Sequence, residues 1–377
     1  MKFKMLLALV LVAGIATMSY AKSHFITPGA RAGGYGTAFS AVADDLTAIY
    51  YNPAGLAYQE NTQVMASLFY IDYPVTASSK YDLGADYGVP GVLTSDKYST
   101  NAAVPFIGFS TKFFYDTTIA AGIYVLGGGG GKVEGLPNSP MKFKIEGQQS
   151  YMVYNISLAK KITDNFSVGL GFDAIQFQDK LVVNALGIDY NRSAFGFQGD
   201  IGLMYKPTEK LSTAFVLRSG SYVDVPNEPN SSNPAFREEV CYPLTWEFGF
   251  AYDLFENFTF AAAISENKTS WTSERYHDIF QYRVGTEYRA TEKLALHLGF
   301  FSDPNLIKDE YRNTYSLINL DMYNMKYLTL GAEYKFTDSL KAGLSFTHSF
   351  TNPVTYEGIT YKYEVNLGRF DISYKFL

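Results

Sequence analysis

Cysteine is almost missing from this chain: Cys241 is the single one among 377 residues. One thiol cannot close an intrachain disulfide, and it cannot build a thiolate zinc site. Histidine is scarce as well, at 24, 277, 297 and 348, with no pair at the i,i+4 spacing of a helical metal motif. No metal and no cofactor is therefore expected. There is no basic tract, and 31 Lys and Arg against 37 Asp and Glu leave a formal charge of −6, which suits no nucleic-acid partner. Beyond the N-terminal segment no stretch reaches 18 uninterrupted apolar residues, so no membrane helix follows. The chain is nonetheless 47% apolar and 18% charged, too apolar to stay disordered.

The N-terminus reads as an address. Lys2 and Lys4 precede an apolar run from Met5 to Ala16, and Ser19-Tyr20-Ala21 places small residues at −3 and −1 of a cleavage site. Residues 1–21 are expected to be a Sec-type signal peptide cut after Ala21, too short to span a bilayer as a helix. An exported chain without a later membrane helix is either soluble or crosses a membrane as a β-barrel.

Period two decides between these. Phe166, Val168, Leu170 and Phe172 alternate with Ser167, Gly169, Gly171 and Asp173. Leu244 through Tyr252 repeats the pattern against Thr245, Glu247, Gly249, Ala251 and Asp253, and so does Leu294 through Phe300 against Ala295, His297 and Gly299. Alternation of this kind makes strands. One face carries small residues mixed with charges, as a crowded lumen requires, and aromatics recur near the strand ends like the girdles of outer-membrane barrels. Short polar turns fall at 115–116, 163–165, 207–210, 255–257, 291–293 and 337–339, separated by longer loops near 73–101, 127–147, 182–192, 222–241, 267–277, 302–325 and 351–363. Six short turns and seven long loops give fourteen strands with both ends on the periplasmic side. The fold expected is all-β: a 14-stranded antiparallel transmembrane β-barrel over 62–377. Its last strand, Phe370 to Leu377, alternates up to Phe376 and looks like the segment by which the barrel-assembly machinery recognises its clients, although it ends on Leu.

A barrel of this size encloses more space than its side chains fill. Residues 22–61 do not alternate and are rich in small residues, so they are expected to fold back as an N-terminal plug, or hatch. The run Ala32-Gly33-Gly34-Tyr35-Gly36-Thr37-Ala38, then Ala43-Asp44-Asp45 and Tyr51-Asn52-Pro53-Ala54-Gly55-Leu56-Ala57, resembles the hatch of the FadL/TodX family of outer-membrane transporters of long-chain fatty acids and other hydrophobic compounds. The turns Lys161 to Gly171 and Gly202 to Leu211, and Trp271 after the ninth strand, extend the resemblance along the chain.

The resemblance implies an outer-membrane channel, not an enzyme. Gly33, Gly34, Gly36, Asp44, Asp45, Asn52, Pro53, Ala54 and Gly55 would carry the hatch motif. A hydrophobic ligand would enter an apolar pocket in the barrel and leave sideways through the third strand, with outer-membrane lipid as the receiving phase and the barrel acting as a monomer. Gly122 and Gly127 are the gate candidates, since glycine permits a bulge; the following glycines, 128–131, also read as a simple loop tip. The family's large collecting loops, after the fifth and seventh strands, are short here, so any capture groove would be built from 73–101 and 302–325. The register turns Asp173, Asp200, Arg218, Glu247, Arg283, Glu287, Glu333, Lys341 and Arg369 inward, with His297. Arg218, Arg283, Arg369 or His297 could hold a ligand carboxylate; alternatively these charges pair with one another and with Arg31, Asp44 and Asp45 of the hatch. His348 adjoins Ser349, but strand neighbours point to opposite faces, which argues against a hydrolase. Two rival readings carry distinct marks. A PorV-like secretion or assembly partner would bind protein through its loops, and a general porin would lack the plug.

Overall fold

The computed structural model describes residues 27–79, 96–134, 144–184, 187–225, 238–314, 324–356 and 359–376. The signal segment 1–21, the first five residues of the expected hatch, the tips of the loops near 80–95 and 315–323, and Leu377 lie outside the described residues.

Fourteen strands form one closed antiparallel barrel. They are β1 (Gln63–Ser79), β2 (Asp96–Lys112), β3 (Thr118–Glu134), β4 (Lys144–Thr163), β5 (Phe166–Val183), β6 (Ile188–Tyr205) and β7 (Leu211–Arg218), then β8 (Thr245–Phe255), β9 (Phe258–Asn267), β10 (Ile279–Arg289), β11 (Leu294–Asp303), β12 (Met325–Lys335), β13 (Leu340–Phe350) and β14 (Asn366–Lys375). Closure is made by β1, where Gln63 lies opposite Ser110 of β2 on one side and Lys375 of β14 on the other. The six short turns stand where the spacing put them, all at one rim.

The outer surface is apolar: Leu68, Ile107, Ile156, Leu170, Phe172, Leu330 and Leu344 are exposed on it, and Phe113, Phe114, Tyr115, Phe255, Phe336 and Phe376 ring the short-turn rim. So continuous an apolar exterior is stable only in contact with lipid. No helix among the described residues is long and apolar enough to cross a membrane.

One feature departs from the expected boundaries. β1 to β6 run for 17 to 20 residues, whereas β7 to β14 have 8 to 11. The ladders of the long strands continue into segments 73–101, 127–147 and 182–192, which read as loops. A tilted crossing needs only about 9–11 residues, and beyond that length the polarity of the two faces inverts. In β5, Leu170 and Phe172 face lipid, but further out Ile175, Phe177, Leu181 and Val183 are buried inside while Gln176, Gln178 and Lys180 turn outward. The strand leaves the bilayer without ending.

Two small hairpins complete the far rim. Ser221–Val225 pairs with Glu238–Tyr242 and packs inside the tall sheet, where Gly196 of β6 leaves room for Val223. Val354–Tyr356 pairs with Ile359–Tyr363, which extends the edge of β1 from Val75 to Ser79.

Candidate functional site

Residues 27–59, nearly all of them buried, pack against the inward face of the wall strands. A short helix, Ala30–Gly34, is held at both ends by the wall: Ala30 N donates to Asp371 Oδ2 at 2.6 Å, and Thr329 Oγ1 donates to Gly34 O at 2.7 Å. A second, Ala48–Tyr51, leads into a 3-10 turn over Pro53–Tyr58. Asn52 is fully buried between them. Its side chain accepts from Ala54 N at 3.0 Å and donates to Ser40 O at 2.9 Å and to Leu203 O of β6 at 3.2 Å. Ser167 Oγ of β5 donates to Ala54 O at 2.9 Å. An irregular buried backbone must satisfy its N–H and C=O groups, and here one asparagine and one serine do much of that.

The wall makes space for this backbone with paired glycines. Gly169 and Gly202 face each other across β5 and β6; a Cβ on Gly202 would come within 2.9 Å of Pro53 Cδ, and Gly169 abuts Pro53 and Ala54. Gly285 and Gly299 face each other across β10 and β11, and there a Cβ would press on Tyr35 and Gly36. The motif residues Gly33 and Gly34 have the converse role: a Cβ on Gly33 would sit 2.8 Å from Arg369 Cδ, and one on Gly34 would sit 2.8 Å from His297 Cβ. Gly55 abuts Ala43 in the same way.

Buried charges join hatch and wall. Arg31 pairs with Asp44 within the hatch and, through Nε at 2.9 Å, with Glu287 of β10. Glu287 also accepts from His297 Nε2 at 3.1 Å and lies 3.0 Å from Arg289. Arg218 lies 3.3 Å from Asp200, donates to Tyr50 O and stacks over the Tyr50 ring. Arg283 pairs with Glu247 and donates to Ser265 and Gln281. Arg218 and Arg283 are thus occupied by carboxylates. Arg369 donates to Thr347 Oγ1 at 2.9 Å and to Thr27 O at 3.3 Å and lies over Phe69. Glu333 and Lys341 pair at 3.0 Å. Asp45 bonds Thr47, and burial pushes its carboxyl up to about 6 against the pull of Arg31.

Beyond the hatch, the lumen side of β1, β2, β11, β12 and β14 presents a buried apolar cluster that includes Phe69, Ile71, Val104, Phe301, Tyr327 and Leu367. Phe301 and Tyr327 stack at 4.3 Å, and Leu306 and Ile307 of the loop after β11 cover the cluster. At the opposite end, a cavity of about 170 Å³ opens beside Arg31, Asp44, Lys206, Glu287 and Arg289.

The wall itself is parted between β2 and β3. β2 pairs with β1 from Ser110 to Asp96, and β3 pairs with β4 from Thr118 to Glu134, but among the described residues β2 and β3 pair only over Ile107–Lys112 and Thr118–Ile123. β3 shifts register against β4 between Val125 and Gly127, and Gly128 adopts φ 144°. Gly127 therefore sits at the irregularity. Gly122 does not: it lies in an unbroken ladder between Gly108 and Asn155, and its missing side chain admits Ile49 of the hatch, whose Cδ1 would be 3.2 Å from a Cβ there. Tyr124, which the sequence reading passed over, faces inward at the split. Its hydroxyl donates to Asp173 at 3.2 Å, and its ring meets Tyr50 of the hatch edge-on at 5.6 Å. A tyrosine on the polar face just before a glycine run was the available signal.

A fourteen-stranded barrel with an apolar exterior and its N-terminal segment packed against the inner wall has the architecture of an outer-membrane barrel. The chain belongs to the outer membrane protein transport protein family (OMPP1/FadL/TodX), whose model matches residues 12–217. This is a family of outer-membrane transporters of hydrophobic compounds. Among solved structures, a Pseudomonas aeruginosa FadL homologue is 15% identical with a TM-score of 0.66, covering 94% of this chain and 100% of its own. The Pseudomonas putida toluene transporter TodX is 14% identical with a TM-score of 0.69, over 93% and 99%. The Ralstonia pickettii toluene transporter TbuX is 15% identical with a TM-score of 0.64, over 94% and 100%. A sequence comparison with curated proteins found no match.

Proposed function

We propose that this chain carries fatty-acid-like or hydrocarbon molecules through the outer membrane, holding them against the apolar cluster around Phe69, Val104, Phe301 and Tyr327 and releasing them sideways between β2 and β3. The observation that carries this reading is the ladder that stops at Ile107 and Ile123 while each strand continues along its other neighbour. The hatch stands in the way of an axial path, and a lateral exit spares an apolar molecule the water beyond. The residues assigned to the exit are Gly127 and the shift beside it. Arg369, whose guanidinium lies over Phe69 of the apolar cluster, is where an anionic head would meet a cation. The same reading takes residues 1–21 as removed on export, β14 as the insertion signal and the barrel as a monomer.

The test is uptake of a labelled hydrophobic compound into cells expressing Gly127→Trp, with binding measured on purified protein. A bulky side chain at the opening is expected to lower uptake at least several-fold with binding retained. Unchanged uptake at matched expression would refute release at this position, and loss of both would place Gly127 in the pocket.

A further inference from the structure

We infer that Pro105 of β2 sets the level at which the wall opens, by withdrawing the hydrogen-bond donor that would carry the β2–β3 ladder one step further. The inference rests on the lateral-release reading for its consequence, not for its geometry. In an antiparallel ladder each residue turns its N–H and C=O to one neighbour, and alternate residues face alternate neighbours. Phe113 N donates to Thr117 O at 2.7 Å, so Phe113 faces β3. The registers of β2 with β1 and with β3 contain no shift. By alternation Thr111, Phe109 and Ile107 also face β3, and Ile107, opposite Ile123, is the last residue paired.

The next residue to face β3 is Pro105, which would stand opposite Val125. Proline has no N–H to give, and its ring carbon occupies the space into which a neighbouring strand would close. Towards β1, Pro105 occupies the position that needs no donor, opposite Leu68, and that ladder runs on undisturbed to Asp96. Opposite, β3 begins its shift at Val125. The two strands thus abandon the same hydrogen-bonded pair from both sides.

Proline alone does not part a wall. Phe376 N donates to Thr62 O, so even-numbered residues of β1 face β14, Pro74 among them. The β1–β14 ladder stops at Asp72 opposite Asn366, yet pairing resumes in the same register at Val75 opposite Tyr363. There the facing chain stays straight. At Pro105 the facing strand turns away, and the interruption becomes an opening.

The test uses cysteines at Val104 and Leu126, both buried on the lumen side, in the full chain with Cys241→Ser. These positions would face each other as a non-hydrogen-bonded pair, the geometry a cross-strand disulfide can span, only if the ladder extended past Ile107. The cysteine pair is placed in chains carrying Pro105, Pro105→Ala or Pro105→Val, and assembly is scored by heat-modifiable migration. Both replacements restore the donor, so both should crosslink at least five-fold faster than the proline chain and take up less of a labelled long-chain fatty acid. Equal crosslinking in all three chains would overturn the inference, and acceleration by only one replacement would assign the effect to the side chain instead. Faster crosslinking with unchanged uptake would uphold Pro105 as the ladder stop and refute lateral release.

Discussion

Replacing Asn52 by Ala should free the hatch without unfolding the barrel. Three hydrogen bonds converge on this side chain: one received from Ala54 N, and two given to Ser40 O and Leu203 O. The first caps the 3-10 turn over Pro53–Tyr58, and loss of a helix cap costs about 1 kcal/mol. The other two leave buried carbonyls short of a donor, at about 1 kcal/mol or more each. The sum, about 3 kcal/mol, corresponds to a roughly hundred-fold larger population of undocked hatch. None of this falls on the wall ladders, because Leu203 remains paired with Val168 whatever residue 52 is. Amide hydrogen exchange in detergent reads the difference: residues 48–58 should exchange about a hundred-fold faster, while β5 and β6 keep their protection. Uptake should fall while assembly is retained. Asn52→Ser, which can still accept from Ala54 N but is too short to reach β6, should lie between. Unchanged protection over 48–58 would refute the account of the anchor, and equal loss in β6 would mean that Asn52 supports the barrel instead.

Other substitutions probe the remaining contacts. Gly299→Val would drive side-chain atoms into Gly36, whose Cα already lies 2.6 Å from an ideal Cβ at 299; protease sensitivity of the hatch should rise, with a normal heat-modifiable barrel. Glu287→Gln removes the carboxylate shared by Arg31, His297 and Arg289 and leaves Arg31 to Asp44; losing one charge-assisted bond costs about 1.5 kcal/mol, so protection of residues 30–36 should drop about ten-fold. Arg369→Met keeps the side-chain bulk but removes the cation beside Phe69; binding of a long-chain fatty acid should weaken about ten-fold and that of an uncharged hydrocarbon should not, as titration with each would show.

How far the sequence could be read differs from element to element. All fourteen strands were visible because lipid on one side and lumen on the other impose period two, and short polar turns break it. The outer ends of β1, β2 and β3 read as loop, whereas β5 can be followed almost to its end; what stayed hidden in β5 is that the period persists while the sense of the two faces reverses, as at Phe172 and Ile175. Small residues on the lumen face were visible, but not their partners: that Gly202 seats Pro53 and Gly299 seats Gly36 depends on where the hatch lies. Gly122 shows the limit most directly. Glycine in a strand marks either a bulge or a close approach, and only the structure places Ile49 against it. Pro105 was in view throughout, yet its meaning depends on which neighbour its missing N–H would have faced, a matter of register rather than composition.

The depth of the opening follows from the same register. Six residue pairs at about 3.4 Å each, tilted by about 40°, raise the joined part of β2 and β3 by roughly 15 Å, about half of a 30 Å hydrocarbon core. Ile123, the last joined residue of β3, lies opposite Tyr154 of β4, whose ring is exposed on the lipid side and whose hydroxyl donates to Gln176 at 3.1 Å. Above Gln176 the outward face of β5 is polar. The parting therefore begins near the middle of the bilayer and runs up to its outer surface. A free strand edge at the bilayer centre would leave each backbone group unsatisfied at a cost of several kcal/mol; near the headgroups, water and lipid oxygens can pair it. Pro105 lowers that cost further, because a residue without an N–H has one fewer group to orphan. The hatch stands directly inside, with Ile49 on Gly122 and Tyr50 against Tyr124. The hatch packs against the wall as far up as Tyr124, just past the last joined pair, so an apolar molecule leaving between the strands above that level would enter the outer leaflet with the hatch still seated below it.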